Sequence, residues 1–138
     1  MEDMMVRISV LWIFAAVAMV VHYAMLFFEP DVLEKMLSEG VTPATKRVYA
    51  HLAIMEVFAD WLIPLTMAFL SVTLGGLANR YLNMVLGGLY IPLSIFHIAK
   101  CPVVHISDKP SIHQLLICIS TVVVTVLIFW YAWTWQFS

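Results

Sequence analysis

Four long apolar stretches alternate with shorter polar segments along the chain, and this pattern predicts the architecture. The stretches cover about residues 8–28, 47–74, 79–100 and 112–133. Each is long enough to cross a bilayer as a helix, which takes about 20 apolar residues. Since only helices and closed barrels satisfy their backbone groups inside lipid, we expect an all-α, polytopic membrane protein. The prediction is a single membrane domain over residues 1–138, built as a four-transmembrane-helix bundle.

The connection between the first and second stretches carries a pattern of its own. Residues 31–39 place apolar side chains on one side of a helix and charged side chains on the other, and Gly40 follows directly. This spacing predicts a short interfacial amphipathic helix that lies on the membrane surface and ends at the glycine.

The composition supports a membrane protein and excludes some partners. The chain is 63% hydrophobic and 12% charged, with a mean hydropathy of +0.95, whereas soluble domains carry about 25% charged residues. The net charge is −2 and there is no basic cluster. We therefore expect the lipid bilayer, and no nucleic acid, as a partner. The two cysteines, Cys101 and Cys118, show neither CxxC spacing nor a CxxCH haem-attachment motif.

Two carboxylic acids, Glu56 and Asp60, interrupt the second apolar stretch. They are four residues apart and share one face of a helix. A charged side chain at the centre of a membrane helix costs about 2.5 kcal/mol or more, so this pair needs either partners or a function. We consider Glu56, Asp60 and His97 as candidate catalytic residues for acid–base chemistry or cation handling. Pro64 follows in the same stretch and is expected to kink the helix and free a backbone carbonyl.

The five histidines fall toward one side of the membrane if the four spans alternate in direction. They are His22, His51, His97, His105 and His113. Histidines on different helices of a bundle are typical of metal and haem sites. The candidate metal ligands are His22, His51, His97 and His113, with Glu56 or Cys101 as additions. No two histidines on one span have the HxxxH spacing of a local metal motif, so a site would have to form between helices.

A stripe of polar and small residues runs along the third stretch at spacings of three and four. It comprises Asn83, Gly87, Tyr90, Ser94, His97 and Cys101. We expect this stripe to face the bundle interior, because polar side chains avoid lipid and small ones let helices approach closely. The predicted ligand-pocket residues are Tyr90, Ser94, Asn83 and His22.

Three functions are compatible with these residues. The first is a buried His/Glu/Asp pocket on one side of the membrane that binds a small hydrophobic ligand, a cation or a metal, with or without proton transfer. The second is a redox protein that binds haem or a metal ion. The third is a non-catalytic accessory subunit or homo-oligomer whose polar stripes and Gly87-Gly88 pair join helices. The sequence leaves open which cofactor is bound and whether the chain is an enzyme.

Three short segments resemble those of a family of small four-span prokaryotic membrane proteins, known as a domain of unknown function. The segments are RISVLWIF, ANRYLNMVLGG and IFWYAWTW. The resemblance implies four spans in a prokaryotic or archaeal inner (cytoplasmic) membrane, with no activity, cofactor or site residue to carry over. Five of the seven Lys and Arg residues lie on the histidine side, which the positive-inside rule then places in the cytoplasm.

Overall fold

The computed structural model describes residues 2–26, 58–100 and 112–135, and the regular elements in these segments are all helices. In chain order they are α1 (Glu2–Leu26), a π-helical turn (Phe58–Leu62), α2 (Ile63–Thr73), α3 (Gly76–Lys100) and α4 (Ile112–Thr134). No strand occurs in these three segments. The predicted interfacial helix at residues 31–39 lies outside the described residues.

The bundle exposes large apolar side chains on its surface and encloses several polar side chains in its interior. Phe14 is 48% exposed, whereas His22, Asn83 and Gln114 are buried between helices. A soluble protein shows the opposite distribution, and a large exposed apolar surface is typical of contact with a membrane or another protein. α1, α3 and α4 are each long and apolar enough to cross a membrane, while the apolar segment 58–73 is shorter. The predicted all-helical fold is therefore confirmed, with three long candidate spans.

α1 and α4 form the centre of the bundle. α1 packs against both α2 and α4, and α3 packs against α4. Trp12, Met67 and Ile128 are almost fully buried in the shared core. α3 approaches α4 closely at Gly87, where an added Cβ would lie 3.1 Å from Cγ2 of Ile128 and 3.2 Å from the backbone nitrogen of Phe129. The missing side chain of Gly87 thus permits helix packing inside the chain.

α1 extends beyond the apolar stretch that begins at about residue 8. The helix starts at Glu2. Glu2 and Asp3 lie in its first turn, where negative charge complements the positive end of the helix dipole. Residues 2–7, which precede the apolar stretch, are therefore part of the helix.

α3 also begins earlier, at Gly76 rather than at residue 79. Gly76 has a φ of 62°, in the left-handed region that glycine adopts without strain. The chain can therefore reverse within a very short connection. The side-chain amide of Asn79 then donates to the carbonyls of Ser71 and Leu74, each at 2.8 Å, and so satisfies groups that the end of α2 leaves open.

A network of buried side chains joins α1, α2 and α3 near this turn. Oδ1 of Asn83 accepts hydrogen bonds from Nε1 of Trp12 at 2.7 Å and from Oγ of Ser71 at 3.1 Å. Its Nδ2 donates to Oδ1 of Asn79 at 2.6 Å. Polar groups inside an apolar bundle are costly unless they are bonded to one another, and this network meets that requirement.

The second predicted span is widened just before Pro64. Residues Phe58–Leu62 form a π-helical turn, and α2 follows directly. In the i to i+5 pattern of a π-helix, the amide that would donate to the carbonyl of Ala59 is that of residue 64, and proline has no amide hydrogen. The hydroxyl group of Tyr90 donates to this carbonyl instead. The carbonyl expected to be freed by Pro64 therefore has a partner on α3.

Candidate metal centre

Three side chains with metal-ligating atoms converge between α1, α3 and α4. They are His22, His97 and Cys118, and one ligand atom from each lies within 4.8 Å of the others. The Nε2 atoms of His22 and His97 are 3.4 Å apart, and Sγ of Cys118 lies 3.7 Å from Nδ1 of His22. His22 is 1% and Cys118 3% exposed, and His97 is half-buried. This cluster could hold a metal ion.

The topology brings the three residues to one end of the bundle. His22 lies four residues before the last residue of α1, and His97 lies three residues before the last residue of α3. Cys118 lies six residues after the first residue of α4. At a rise of 1.5 Å per residue, the cluster is about 5–9 Å inside these helix ends. It is therefore close to one face of the bundle and still surrounded by helices.

Two of the distances between ligand atoms are close to those around a small ion. Metal–nitrogen bonds of about 2.0–2.1 Å and a metal–sulfur bond of about 2.3 Å place tetrahedral ligands about 3.4 Å apart for two nitrogens and about 3.6 Å apart for nitrogen and sulfur. The observed 3.4 Å and 3.7 Å are close to these values. Nε2 of His22 faces His97 and Nδ1 of His22 faces Cys118, and a single ion can bind only one of these two nitrogens. The widest separation between the ligand atoms, up to 4.8 Å, therefore has to decrease by about 1 Å when one ion binds all three residues.

Haem fits this geometry less well than a single ion. Ligation of haem by two histidines places the porphyrin plane between the imidazole rings. The rings of His22 and His97 instead contact each other, with centroids 5.3 Å apart and an interplanar angle of 72°. Cys118 approaches the same His22 ring. The arrangement therefore favours a compact ion over a macrocycle.

Gln114 borders the cluster, one turn before Cys118 on the same face of α4. It is 2% exposed, and its Nε2 donates to the backbone carbonyl of His22 at 3.4 Å. Its Oε1 has no hydrogen-bond partner in the part of the chain that the structure describes. Leaving a buried acceptor without a donor costs about 1–3 kcal/mol, so this oxygen is a candidate for a further ligand.

An acid–phenol pair lies beside the histidines. Tyr23 follows His22 in the chain and donates its hydroxyl hydrogen to Oδ2 of Asp60 at 2.7 Å. The Tyr23 ring contacts the rings of His22 and His97 edge to face, with centroids 5.5 Å and 6.3 Å apart. Asp60, which lies in the π-helical turn, is therefore linked to the cluster through the side chain of Tyr23.

The structure places two predicted site residues away from the cluster. His113 is exposed on the first turn of α4 and is not one of the three converging residues. Asn83 is completely buried in the network with Trp12 near the other end of the bundle. Its Oδ1 accepts hydrogen bonds from α1 and α2, and its Nδ2 donates to Asn79 on α3.

The remaining predicted residues lie near the cluster or outside the described segments. Tyr90 is two turns before His97 on α3 and is bonded to the carbonyl of Ala59, beside Asp60. Ser94 is half-buried one turn before His97. Four residues of the predicted site region lie outside the described residues: His51, Glu56, Cys101 and His105.

Sequence reasoning did not assign Cys118 and Gln114 to the site, although the sequence contains a signal for both. They belong to a polar stripe along the fourth stretch that also includes Thr121 and Thr125, and all four residues are buried. Since most of the rest of α4 is apolar, such a stripe is expected to face the interior. Cys101 is the cysteine that the sequence analysis adds to the candidate ligands, because it lies toward the histidine side of the membrane.

Comparisons with protein families, curated proteins and solved structures find no match to this chain. The function therefore has to be argued from the chemistry of the site. The resemblance to a family of four-span prokaryotic membrane proteins stays a prediction.

Proposed function

We propose that this chain is a four-span integral membrane protein that binds one transition-metal ion through His22, His97 and Cys118. The observation that carries the proposal is the buried convergence of two imidazoles and one thiol from three helices. Imidazole nitrogen and thiolate sulfur are usual ligands of zinc and copper. Polar groups gathered inside an apolar bundle are costly, and in membrane proteins such groups usually mark a functional site.

The four-span architecture belongs to the proposal. Segment 58–73 is an apolar helix that packs on α1, and the apolar sequence continues before it from about residue 47. Together they exceed the length of about 20 residues that a membrane helix needs. Four spans place the metal site at the face opposite the turn between α2 and α3, and the positive-inside rule favours the cytoplasmic face of the cell inner membrane for it.

The charges near the cluster fit a divalent ion. Cysteine binds metals as a thiolate and histidine as a neutral ring, so a divalent ion at the three ligands retains one positive charge. A single uncompensated charge inside a bundle is strongly unfavourable. The carboxylate of Asp60, linked to the cluster through Tyr23, can balance this charge. We therefore assign Asp60 to charge compensation rather than to direct ligation.

A cobalt titration tests the proposal. The full chain is purified in detergent, treated with a chelator and titrated with Co²⁺, whose absorption spectrum reports thiolate ligation. We expect one equivalent to bind with a cysteine-to-cobalt charge-transfer band, and zinc to displace it. The variants His22→Ala, His97→Ala and Cys118→Ser should each lower the affinity at least tenfold, because metal sites with one ligand removed bind weakly.

His113→Ala is the matched control, since this histidine is exposed and lies on the same helix as Cys118. It should bind cobalt like the unmodified chain. Circular dichroism of each variant distinguishes a lost ligand from a lost fold. The proposal is wrong if the folded chain binds no cobalt, or if the three folded ligand variants bind it as tightly as His113→Ala does.

A further inference from the structure

We infer that the ion held by this cluster is copper and that Gln114 supplies its fourth ligand through Oε1. The inference rests on the proposed metal site and specifies which metal the site selects. It is carried by the identity of the donor atoms and by the one buried carboxamide oxygen beside them that has no partner among the described residues.

The donor set distinguishes copper from zinc. Structural zinc sites are closed by four strong ligands, usually with two or more cysteines. Two histidines and one cysteine with a weak fourth ligand, such as methionine or glutamine, are instead typical of mononuclear copper sites that exchange one electron. Within the described segments the cluster offers His22, His97 and Cys118 as strong ligands, and Gln114 is the neighbouring weak one.

The position of Gln114 suits a weak ligand. Its Nε2 is held by the carbonyl of His22 at 3.4 Å, which fixes the plane of the side-chain amide next to the turn that carries the first ligand. Its Cα is one turn from that of Cys118 on the same face of α4. The residue is 2% exposed, and its amide oxygen is buried without a hydrogen-bond partner among the described residues.

The charges at the site accommodate both oxidation states of copper. Cu(I) with the Cys118 thiolate is neutral, and Cu(II) with the thiolate is balanced by the carboxylate of Asp60 through Tyr23. Reduction to Cu(I) by one electron from an external donor is accompanied by the uptake of one proton at Asp60. With this proton, neither oxidation state leaves an unpaired charge among the helices.

Copper affinity alone cannot test the inference, because nearly every nitrogen or sulfur site binds Cu(II) more tightly than zinc. Spectra that report the ligands of the bound copper can test it. We would load the chelator-treated chain with one equivalent of Cu(II) and record visible absorption and electron paramagnetic resonance. We expect an intense thiolate-to-copper band that disappears when ascorbate donates one electron to each Cu(II), giving Cu(I) and oxidised ascorbate. Cys118→Ser should lack the band, and Cys101→Ser should keep it.

Three substitutions test the role of Gln114. Gln114→Leu removes the oxygen, and Gln114→Met replaces it with a thioether of similar length. Both should retain one bound copper while shifting the absorption maximum and the resonance parameters, since the weak ligand tunes the electronic structure of such sites. Thr125→Val is the control, because Thr125 is buried on α4 and its hydroxyl group donates to the carbonyl of Val122 on the same helix at 2.9 Å; its spectrum should equal that of the unmodified chain.

The outcomes separate this inference from the proposed function. If cobalt binds at His22, His97 and Cys118 but Cu(II) gives no thiolate band, the copper assignment is wrong and the metal site stands. If the band forms and both folded Gln114 variants leave the spectrum unchanged, Gln114 is not a ligand and the inference is overturned. If neither cobalt nor copper depends on the three residues, both proposals fail.

Discussion

The substitution Gly87→Ala tests the packing of α3 on α4, and Gly88→Ala is its neighbour-matched control. A Cβ at Gly87 would lie 3.1 Å from Cγ2 of Ile128 and 3.2 Å from the backbone nitrogen of Phe129. The side chain of Ile128 can rotate, but the backbone of α4 cannot move without displacing its neighbours. A Cβ at Gly88 would lie 3.4 Å and 3.5 Å from ring atoms of Phe129, which is ordinary contact.

The expected difference follows from two terms. Replacing glycine by alanine inside a helix favours the helix by about 0.8–1.0 kcal/mol in aqueous hosts, and this term is common to both variants. Overpacking typically costs about 1–3 kcal/mol, and it applies to Gly87 alone. The common term cancels in the comparison, so Gly87→Ala should be less stable than Gly88→Ala by about 1–3 kcal/mol.

Equilibrium unfolding in mixed detergent micelles, followed by circular dichroism, measures this difference. Gly88→Ala should unfold like the unmodified chain or at slightly higher denaturant. Gly87→Ala should unfold earlier. Equal free energies of unfolding for the two variants would refute the close approach of α3 to α4 at Gly87.

Three further substitutions distinguish side chains that stabilise the fold from a side chain that supports metal binding. Asn83→Ala leaves the indole of Trp12 without its acceptor and should lower the free energy of unfolding by about 1–3 kcal/mol with unchanged cobalt affinity. Tyr90→Phe removes the donor to the carbonyl of Ala59 and should lower the free energy of unfolding by about 0.6 kcal/mol and at most about 1.7 kcal/mol, the average and the maximum for hydrogen bonds between membrane helices. Asp60→Asn removes the balancing charge and should weaken Co²⁺ binding about tenfold, with a smaller effect on Cu(I). Unfolding curves and metal titrations measure these effects.

Each of these variants has a control on a residue outside the interactions that it tests. Ser120→Ala removes a hydroxyl that donates to the carbonyl of Ile117 on its own helix, so its stability should stay within about 0.5 kcal/mol of the unmodified chain. Tyr81→Phe acts on an exposed phenol and Asp3→Asn on an exposed acid. A stability loss in Tyr81→Phe equal to that in Tyr90→Phe would contradict the role given to the Ala59 carbonyl. Equal metal affinities for Asp3→Asn and Asp60→Asn would contradict charge compensation.

The long helices could be predicted from sequence because their apolar runs exceed what a soluble domain places in one element. Helix ends were less predictable. The start of α3 depends on the backbone conformation of Gly76 and on the side chain of Asn79, which a hydropathy pattern does not report. The π-helical turn before Pro64 illustrates the same limit: the proline predicts a disturbance, but the form it takes depends on Tyr90 across the bundle.

The site was predictable in part for a different physical reason. The pattern of polar residues shows which face of each span is turned inward, and this identified His22, His97 and Asp60 as candidates. It does not show which helices are neighbours, because lipid provides little hydrophobic driving force between them and packing decides their arrangement. Two features of the site depend on that arrangement. One is the contact between Sγ of Cys118 and Nδ1 of His22 at 3.7 Å, and the other is the position of Asn83 in a separate network.

X-ray absorption at the metal edge of the loaded, full-length chain tests the central claim most directly, because it counts the ligands around the ion. A site formed by His22, His97 and Cys118 predicts one sulfur neighbour at about 2.3 Å and two imidazole nitrogens at about 2.0–2.1 Å. The sulfur shell should disappear in Cys118→Ser and persist in Cys101→Ser. A first shell of oxygen and nitrogen alone in the unmodified chain, or a sulfur shell that survives in Cys118→Ser, would contradict the account.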